Sequence, residues 1–259
     1  MITLLNGEEW QEADILKRMD DDSFYYGHLG KHALSSSSLK KLLQSPRAYR
    51  SSLNYSESSQ ALRDGRLIHL SVLEPHRLKD LIVVEGTKAR KEYKDAVEEH
   101  GEHMVYTESE MSNAYWISDA VNKNNEASFL LEGCDFEVSG VGMIQGLPFR
   151  AKADAITSSR NIIVDLKTTS ANIDDWHWEA KKYNYGLQAA LYMKIFGATE
   201  FIFLVVNKSS KDIGIFECGD SFISNGQSAI DFAIDTYKYY FRKDDSDQLI
   251  NNYVHRGIL

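Results

Sequence analysis

Charged residues at the ends of two predicted β-strands are the part of this sequence that is best suited to chemistry. In the first strand, charged and apolar residues alternate up to Asp154, which puts the charged side chains on one face. The β-branched run that follows predicts a second strand, on which Asp165 and Lys167 share a face. If the two strands pair, two carboxylates and an ammonium group converge. Such a set suits Mg²⁺, with Lys167 beside an attacking water or the developing negative charge.

An ordinary ion pair is the alternative explanation for Asp165 and Lys167, because an Asp-x-Lys tripeptide occurs by chance in many proteins. The neighbouring residues Ile162, Ile163 and Val164 predict a buried central strand, however, and a charged group in buried surroundings needs a partner or a metal. On residue chemistry alone, the ion pair and the metal site are both open.

The order of these residues resembles the PD-(D/E)XK nucleases in their RecB-like form. Asp154 is separated by ten residues from Asp165, which begins an Asp-Leu-Lys tripeptide. Gln188 and Tyr192 follow in a segment whose apolar stripe predicts a helix. Jointly these motifs are specific, whereas each of them alone is weak.

Two segments nearer the start resemble RecE-type exonucleases (exonuclease VIII). Residues 65–75 resemble the histidine motif of these enzymes, with His69 at the place of the imidazole that binds the catalytic metal. Residues 34–46, which contain four consecutive serines, resemble a second motif. The resemblance covers about residues 34–243 and keeps the order of the motifs.

The resemblance implies an α/β fold with a restriction-endonuclease-like (PD-(D/E)XK) core. In this fold a mixed central sheet is flanked by helices, and we expect a helical N-terminal part beside it. The predicted order of elements agrees, since helices come first and are followed by three strands, a long helix, one or two strands and a final helix. We therefore divide the chain into an N-terminal adapter segment (1–33), a nuclease domain (34–243) and a polar C-terminal tail (244–259).

The same resemblance implies which groups bind the metal. The expected ligands of one or two Mg²⁺ or Mn²⁺ ions are His69, Asp154, Asp165 and the backbone carbonyl of Leu166. Nitrogen ligation is less usual for Mg²⁺ than for Mn²⁺. Glu137 precedes Asp154 at a distance that is common in RecB-like relatives, so it is a further candidate ligand. A glutamate in solvent on an edge strand is an equal alternative.

The resemblance also assigns roles to residues that do not bind the metal. Lys167 would position or help deprotonate the attacking water, while Gln188 and Tyr192 would line the site and orient groups around it. Hydroxyl groups and cations would contact the DNA backbone or its 5′-phosphate: Ser35, Ser37, Arg66, Arg150 and Lys152. A helix start that is rich in serine offers hydroxyl and N–H groups to a phosphate, with Ser37 as the match by spacing. A capping role alone is as good an explanation.

Composition is that of an ordinary globular protein, with 43% hydrophobic and 26% charged residues and three prolines. No apolar run approaches the ~20 residues of a membrane helix, and the start has no basic region typical of a signal peptide. The two cysteines, Cys134 and Cys218, are far apart, which argues for a reducing compartment and against a zinc or iron–sulfur site. We therefore expect a cytoplasmic protein.

The formal net charge of −9 is unusual for a protein that binds DNA. Carboxylates that hold metal ions contribute to this number, and basic residues are concentrated between Lys40 and Arg66. A groove can therefore be basic while the outer surface is acidic. A protein that never binds nucleic acid is the open alternative.

The resemblance implies a metal-dependent exonuclease that degrades double-stranded DNA from the 5′ end and leaves 3′ overhangs. It also implies a ring-shaped homo-oligomer that encloses the DNA, and a RecT-like single-strand annealing protein as partner. Such enzymes are encoded by phages or prophages and act in the bacterial cytoplasm. Two alternatives stay open: another PD-(D/E)XK nuclease, such as an endonuclease or a single-strand exonuclease, and a non-catalytic DNA-binding module.

Overall fold

A computed structural model of the chain describes residues 1–54, 59–157 and 161–255. The strands are β1 (Ile2–Thr3), β2 (Glu9–Trp10), β3 (Ile82–Val84), β4 (Val105–Thr107), β5 (Asp135–Ile144), β6 (Leu147–Thr157), β7 (Ile162–Thr169), β8 (Glu200–Asn207) and β9 (Ile213–Glu217). The α-helices are α1 (Glu12–Arg18), α2 (Leu29–His32), α3 (Ser36–Gln44), α4 (Pro46–Ser52), α5 (Gln60–Leu73), α6 (Lys91–His100), α7 (Glu108–Lys123), α8 (Asn125–Leu131), α9 (Trp176–Lys182), α10 (Tyr185–Phe196), α11 (Asp220–Phe241) and α12 (Ser246–Asn251). A π-helix (Ser23–His28) and two 3₁₀-helices (Pro75–Asp80 and Ile173–Asp175) complete the elements.

The central sheet has five strands in the order β5-β6-β7-β8-β9. β7 and β8 run parallel and the other neighbouring pairs run antiparallel, so the sheet is mixed, as predicted. The turn from β5 to β6 consists of Gln145 and Gly146, which both have positive φ (49° and 78°). This is the backbone that a tight hairpin between twisted strands requires. Gln145 and Gly146 therefore close a hairpin that leads into the central strands.

Helices cover both faces of the sheet. On one face, α3, α10 and α11 form a core with residues such as Ile163 and Phe203. On the opposite face, α5 and α7 form a second core with Val164 and Leu204. Because β7 and β8 lie inside the sheet, their residues are buried on both sides, which explains the near-continuous apolar runs of these strands.

The first 33 residues pack against β5 and β6. Their buried apolar side chains form a cluster with Val141 of β5. Leu34 N donates a hydrogen bond to Pro148 O, and Arg150 N donates one to Leu34 O. These bonds use the side of β6 that β7 leaves free, since β7 pairs with β6 at residues 155–157. The N-terminal segment therefore contacts the strand that carries Asp154.

The segment that was expected to be a polar tail begins with α12, which is docked on the protein. Ile250 is buried, and Arg47 Nε of α4 donates a hydrogen bond of 3.1 Å to its carbonyl oxygen. Polar composition did not predict this contact, and residues 256–259 lie outside the described part of the chain. None of the described helices combines the length and the apolar character that crossing a bilayer requires.

Candidate active site

The two strands that carry the predicted catalytic residues separate where their acidic residues begin. β6 and β7 pair at residues 155–157 and 162–164, and the pairing ends before Asp154 and Asp165. The backbone of β7 therefore lacks a partner on the β6 side at this point. Leu166 N instead donates a hydrogen bond of 2.8 Å to Asp154 Oδ2. At the fork between the strands, the Asp154 side chain thus replaces the backbone partner of Leu166 N.

Three residues that can ligate a metal meet beside this fork. His69 comes from α5, Glu137 from β5 and Asp154 from β6, and one ligand atom of each lies within 4.8 Å of the others. His69 Nδ1 is 3.5 Å from Asp154 Oδ2. All three residues are half-buried. We call His69, Glu137 and Asp154 the ligand cluster.

Glu137 adopts an unusual backbone conformation. Its φ is +51°, in the left-handed region that few residues other than glycine adopt inside a strand. The neighbours Phe136 and Val138 keep their regular pairing with Ala155 and Ala153, so the distortion is confined to one residue. Strain of this kind costs about 1–3 kcal/mol and tends to occur at functional sites. The backbone therefore favours a ligand over an edge-strand glutamate in solvent.

Asp165 lies next to the ligand cluster and has its own partners. It is fully buried, and its Oδ1 accepts a hydrogen bond of 2.6 Å from Gln188 Nε2 of α10. The Lys167 ammonium group contacts Asp165 Oδ2. The Asp165 carboxylate therefore lies between Gln188 and Lys167 and contacts both of them. Through this carboxylate, Gln188 can affect the position of Lys167.

Uncompensated charge shifts the pKa of several of these groups. Burial, followed by the nearby Asp154 carboxylate, raises the pKa of Glu137 to about 7. Burial raises the pKa of Asp165 to about 6, against the opposing effect of Lys167. Burial disfavours the charged form of Lys167, but the Asp165 and Asp154 carboxylates outweigh it and hold the pKa of this lysine above its ordinary value. Lys167 is therefore protonated at neutral pH.

A divalent cation fits the chemistry of this site. Burial is the main cause of the raised pKa of Glu137, and the Asp154 carboxylate beside it adds to the shift. The Asp154 carboxylate, one member of the ligand cluster, has only the half-buried imidazole of His69 as an ion-pair partner among the described residues. A bound divalent cation would balance this charge. Carboxylate oxygens with one imidazole suit Mg²⁺ or Mn²⁺ better than a soft metal, and the Leu166 carbonyl stays a predicted ligand.

The serine run begins α3 as a cap. Ser35 Oγ accepts a hydrogen bond from Ser38 N, and Ser38 Oγ accepts one from Ser35 N, so the two form a capping box. Ser37 is exposed, and its contact with a phosphate stays a prediction. Ser36 is buried and hydrogen-bonds the hydroxyl of Tyr192, whose ring packs on two phenylalanine rings in the core. The ring of Tyr192 therefore packs in the core, and its hydroxyl group is the part that makes a polar contact.

The cations that were predicted to contact DNA lie along β6 and on α5. Arg150 Cζ is 4.3 Å and Lys152 Nζ is 5.1 Å from the ring centre of Tyr25. The π-helix at residues 23–28 thus places aromatic rings on these two cations, which the sequence did not indicate. Arg66 is exposed on α5, three residues before His69. DNA contact by these cations stays a prediction.

Lys40 of α3 also approaches the site, which was hardly predictable from the sequence. Its Nζ is 4.5 Å from the ring centre of Tyr185, and Lys167 Nζ is 5.2 Å from the same ring centre. The concentration of basic residues around Lys40 was the sole sequence signal. The contact depends on how α3 packs against α10, which no local pattern encodes.

The chain is similar to known proteins in sequence and in fold. Residues 35–246 match the model of a family described as a PDDEXK-like domain of unknown function (DUF3799). The structure is similar to that of a candidate exonuclease from Eubacterium rectale, with 17% identity, a TM-score of 0.64 and coverage of 92% of this chain and 95% of that chain. It is less similar to an alkaline exonuclease from Laribacter hongkongensis, with 14% identity, a TM-score of 0.42 and coverage of 88% and 99%. None of the curated proteins matches the chain.

These findings confirm the predicted fold, which is a PD-(D/E)XK core with a mixed five-stranded sheet flanked by helices. The narrower resemblance to RecE-type exonucleases stays a prediction. The assignment of roles to individual residues likewise stays a prediction, since a shared fold does not fix a shared chemistry.

Proposed function

We propose a nuclease function for this chain, which belongs to the family of PDDEXK-like domains of unknown function (DUF3799). One observation carries the proposal. At the fork between β6 and β7, the ligand cluster lies next to the buried pair of Asp165 and Lys167. Acidic metal ligands and a protonated lysine are the groups that metal-dependent hydrolysis of a phosphodiester requires.

The proposed reaction is the hydrolysis of a phosphodiester in DNA. A water oxygen attacks phosphorus, the bond between phosphorus and the 3′-oxygen breaks, and the leaving oxygen takes up a proton. A bound divalent cation supplies acidity to water and stabilises the negative charge that grows on the phosphate. The ligand cluster would hold this cation, and Asp165 lies next to it. The reaction would therefore take place beside the ligand cluster and Asp165.

Lys167 would act as a hydrogen-bond donor. Because its pKa is raised, its ammonium group donates hydrogen bonds to water or to a phosphate oxygen at neutral pH and does not accept a proton. This favours positioning and charge stabilisation over help in deprotonation. Asp165 holds Lys167 in place, and Gln188 holds Asp165. The proton of the attacking water then passes to a site carboxylate or to solvent.

The finer proposal concerns substrate and context. We propose that the enzyme degrades double-stranded DNA from the 5′ end, leaving a 3′ overhang on which a RecT-like annealing protein assembles. A ring-shaped homo-oligomer around the duplex would keep the enzyme on its substrate after each cut. We also propose a phage or prophage origin and a cytoplasmic location. The support for these points is the order of motifs that the chain shares with RecE-type enzymes.

Digestion of linear duplex DNA labelled at either the 5′ or the 3′ termini tests the proposal. With Mg²⁺ or Mn²⁺, we expect the 5′ label to appear first as mononucleotide, and we expect chelator to abolish its release. Closed circular duplex of the same sequence serves as the matched control and should stay intact. Cleavage of the circle would refute the exonuclease assignment, and no release with either metal would refute the nuclease proposal as a whole.

A further inference from the structure

Lys40 is a cation without an acidic partner at the edge of the candidate active site. It is half-buried, and within the described ranges no carboxylate lies at ion-pair distance from its ammonium group. Its Nζ is 4.5 Å from the ring centre of Tyr185, and Lys167 Nζ is 5.2 Å from the same ring centre. Burial, followed by the positive charge of Lys167, lowers the pKa of Lys40 to about 8.

The charges around Tyr185 do not balance. Asp165 contacts Lys167 through one oxygen and accepts a hydrogen bond from Gln188 at the other, so both of its oxygens are engaged. Asp165 therefore pairs with one ammonium group, and the second lies over the ring of Tyr185 with no carboxylate at ion-pair distance among the described residues. A cation over an aromatic ring gains about 0.5–2 kcal/mol, which offsets only part of the cost of placing two like charges together.

An anion between the two ammonium groups would restore the balance. The elements that face Lys40 supply the ring of Tyr185 from α10 and the Lys167–Asp165 pair from β7. The ligand cluster consists of other residues, His69, Glu137 and Asp154.

We propose that Lys40 and Lys167 form a phosphate-binding subsite on the Tyr185 ring, which holds a phosphate group of the DNA strand that is cleaved. This inference rests on the proposed nuclease function and adds a substrate contact to it. Lys40 supplies a fixed positive charge on α3, so the packing of α3 against α10 sets the distance between the bound strand and the ligand cluster.

The salt dependence of DNA binding tests the subsite directly. The dissociation constant of wild-type protein for a short duplex is measured in chelator at several salt concentrations, and then for Lys40→Met. Methionine keeps most of the aliphatic bulk over Tyr185 and removes the charge. We expect binding about 10-fold weaker and a slope of log Kd against log salt that falls by about 0.7–0.9, the value of one lost phosphate contact.

Two further variants make the result specific. Lys40→Arg should restore both the affinity and the slope, because it keeps the charge. Lys238→Ala, which removes one exposed lysine from α11, should leave the slope unchanged and controls for net charge. An unchanged slope in Lys40→Met, together with an altered melting temperature, would overturn the subsite and assign Lys40 a packing role.

The same experiment separates failure of the subsite from failure of the proposed function. Binding is measured without metal, so it does not depend on hydrolysis. If wild-type protein binds DNA with the expected dependence on Lys40 but never hydrolyses it, the nuclease proposal fails and the phosphate contact stands. If wild-type protein does not bind DNA in chelator, the subsite is refuted, and the release of label with Mg²⁺ or Mn²⁺ decides separately on the nuclease proposal.

Discussion

Two groups of buried or half-buried charged residues are centred on Arg63 and His69, which lie six residues apart along α5, and their electrostatic character is opposite. Around Arg63 the charges are paired. Arg63 Nη2 donates to Val105 O at 2.7 Å and to Tyr93 Oη at 3.2 Å, and Lys88 Nζ is 2.7 Å from Glu110 Oε1. We call Arg63, Lys88 and Glu110 the Arg63 cluster. Around His69, by contrast, Glu137 and Asp154 crowd together with no Lys or Arg at ion-pair distance within the described part of the chain.

The pKa shifts of the two glutamates express this difference. Burial raises the pKa of Glu110, but hydrogen bonds from Lys88, Thr107 and Gln60 outweigh it and lower the pKa overall. The pKa of Glu137 is instead raised to about 7. Burial of charge alone therefore does not identify a functional site. A cluster whose positive and negative charges are paired stabilises the fold. A cluster with unpaired charges of one sign indicates a binding site for a ligand of the opposite charge.

The largest effect should come from the ligand cluster. Asp154→Asn removes a carboxylate that the cation needs, so we expect the rate of DNA hydrolysis to fall by at least about 10³-fold. The melting temperature in chelator should stay the same or rise, because one of the repelling charges is gone. Initial rates and thermal denaturation measure the two effects. Hydrolysis within 10-fold of wild type would contradict the role of Asp154.

The Arg63 cluster should show the reverse pattern. Arg63→Met leaves Val105 O without its buried donor and removes the ion-pair partner that lies 4.0 Å from Glu110 Oε1, so we expect the free energy of unfolding to fall by about 2–4 kcal/mol. Urea denaturation measures this loss. The hydrolysis rate per folded molecule should equal that of wild type, because Arg63 does not contact the site. A large loss of rate in folded protein would erase the distinction between the two clusters.

The pH dependence of stability isolates Glu137. Its folded-state pKa of about 7 lies above the ordinary value of 4.5, so the folded state binds this proton more tightly than the unfolded state does. Stability from this group is therefore present at low pH and is lost as the pH rises through 7, by at most about 3 kcal/mol. In chelator, Glu137→Gln should lose less stability than wild type between pH 5 and pH 8.

A matched control for this pH experiment is Glu98→Gln, which changes an exposed glutamate on α6 and should behave as wild type does. Addition of Mg²⁺ or Mn²⁺ should stabilise wild-type protein more at pH 8 than at pH 5, since the ligands must be deprotonated. Identical pH profiles for wild type and Glu137→Gln would show that Glu137 carries no excess charge.

The smallest effect should separate capping from DNA contact in the serine run. Ser35→Ala removes the capping box of α3, so we expect the free energy of unfolding to fall by about 1 kcal/mol. Ser37→Ala changes an exposed serine and should leave stability unchanged. If Ser37 contacts a 5′-phosphate, its variant should lose the preference for 5′-phosphorylated over 5′-hydroxyl ends. Equal preference in wild type and Ser37→Ala would limit the serine run to capping.

Local patterns in the sequence were sufficient to predict strands β6 and β7 and the acidic residue that each of them carries. Alternation in β6 and the apolar run of β7 placed Asp154 and Asp165 on adjacent strands, because strand periodicity acts over a few residues. The order of motifs then indicated His69. Its approach to Asp154 depends on helix packing across 85 residues, which residue chemistry alone could not predict.

The remaining features depend on geometry that the sequence does not display. The role of Glu137 was open because its position depends on a left-handed backbone inside a strand, for which a glutamate gives no signal. The contact of Lys40 with the ring of Tyr185 joins two helices that are distant in the chain. The contact of Tyr25 with Arg150 likewise depends on how the N-terminal segment folds over β6.

Anomalous scattering from crystals grown with Mn²⁺ tests the central claim most directly, because it locates the cation independently of any activity. We predict a peak within bonding distance of His69, Glu137 and Asp154 together, at the fork between β6 and β7. The Asp154→Asn variant in the same crystals should lose this peak. Ordered protein with no peak at these three side chains, or with a peak that His69 and Glu137 do not reach, would contradict the account.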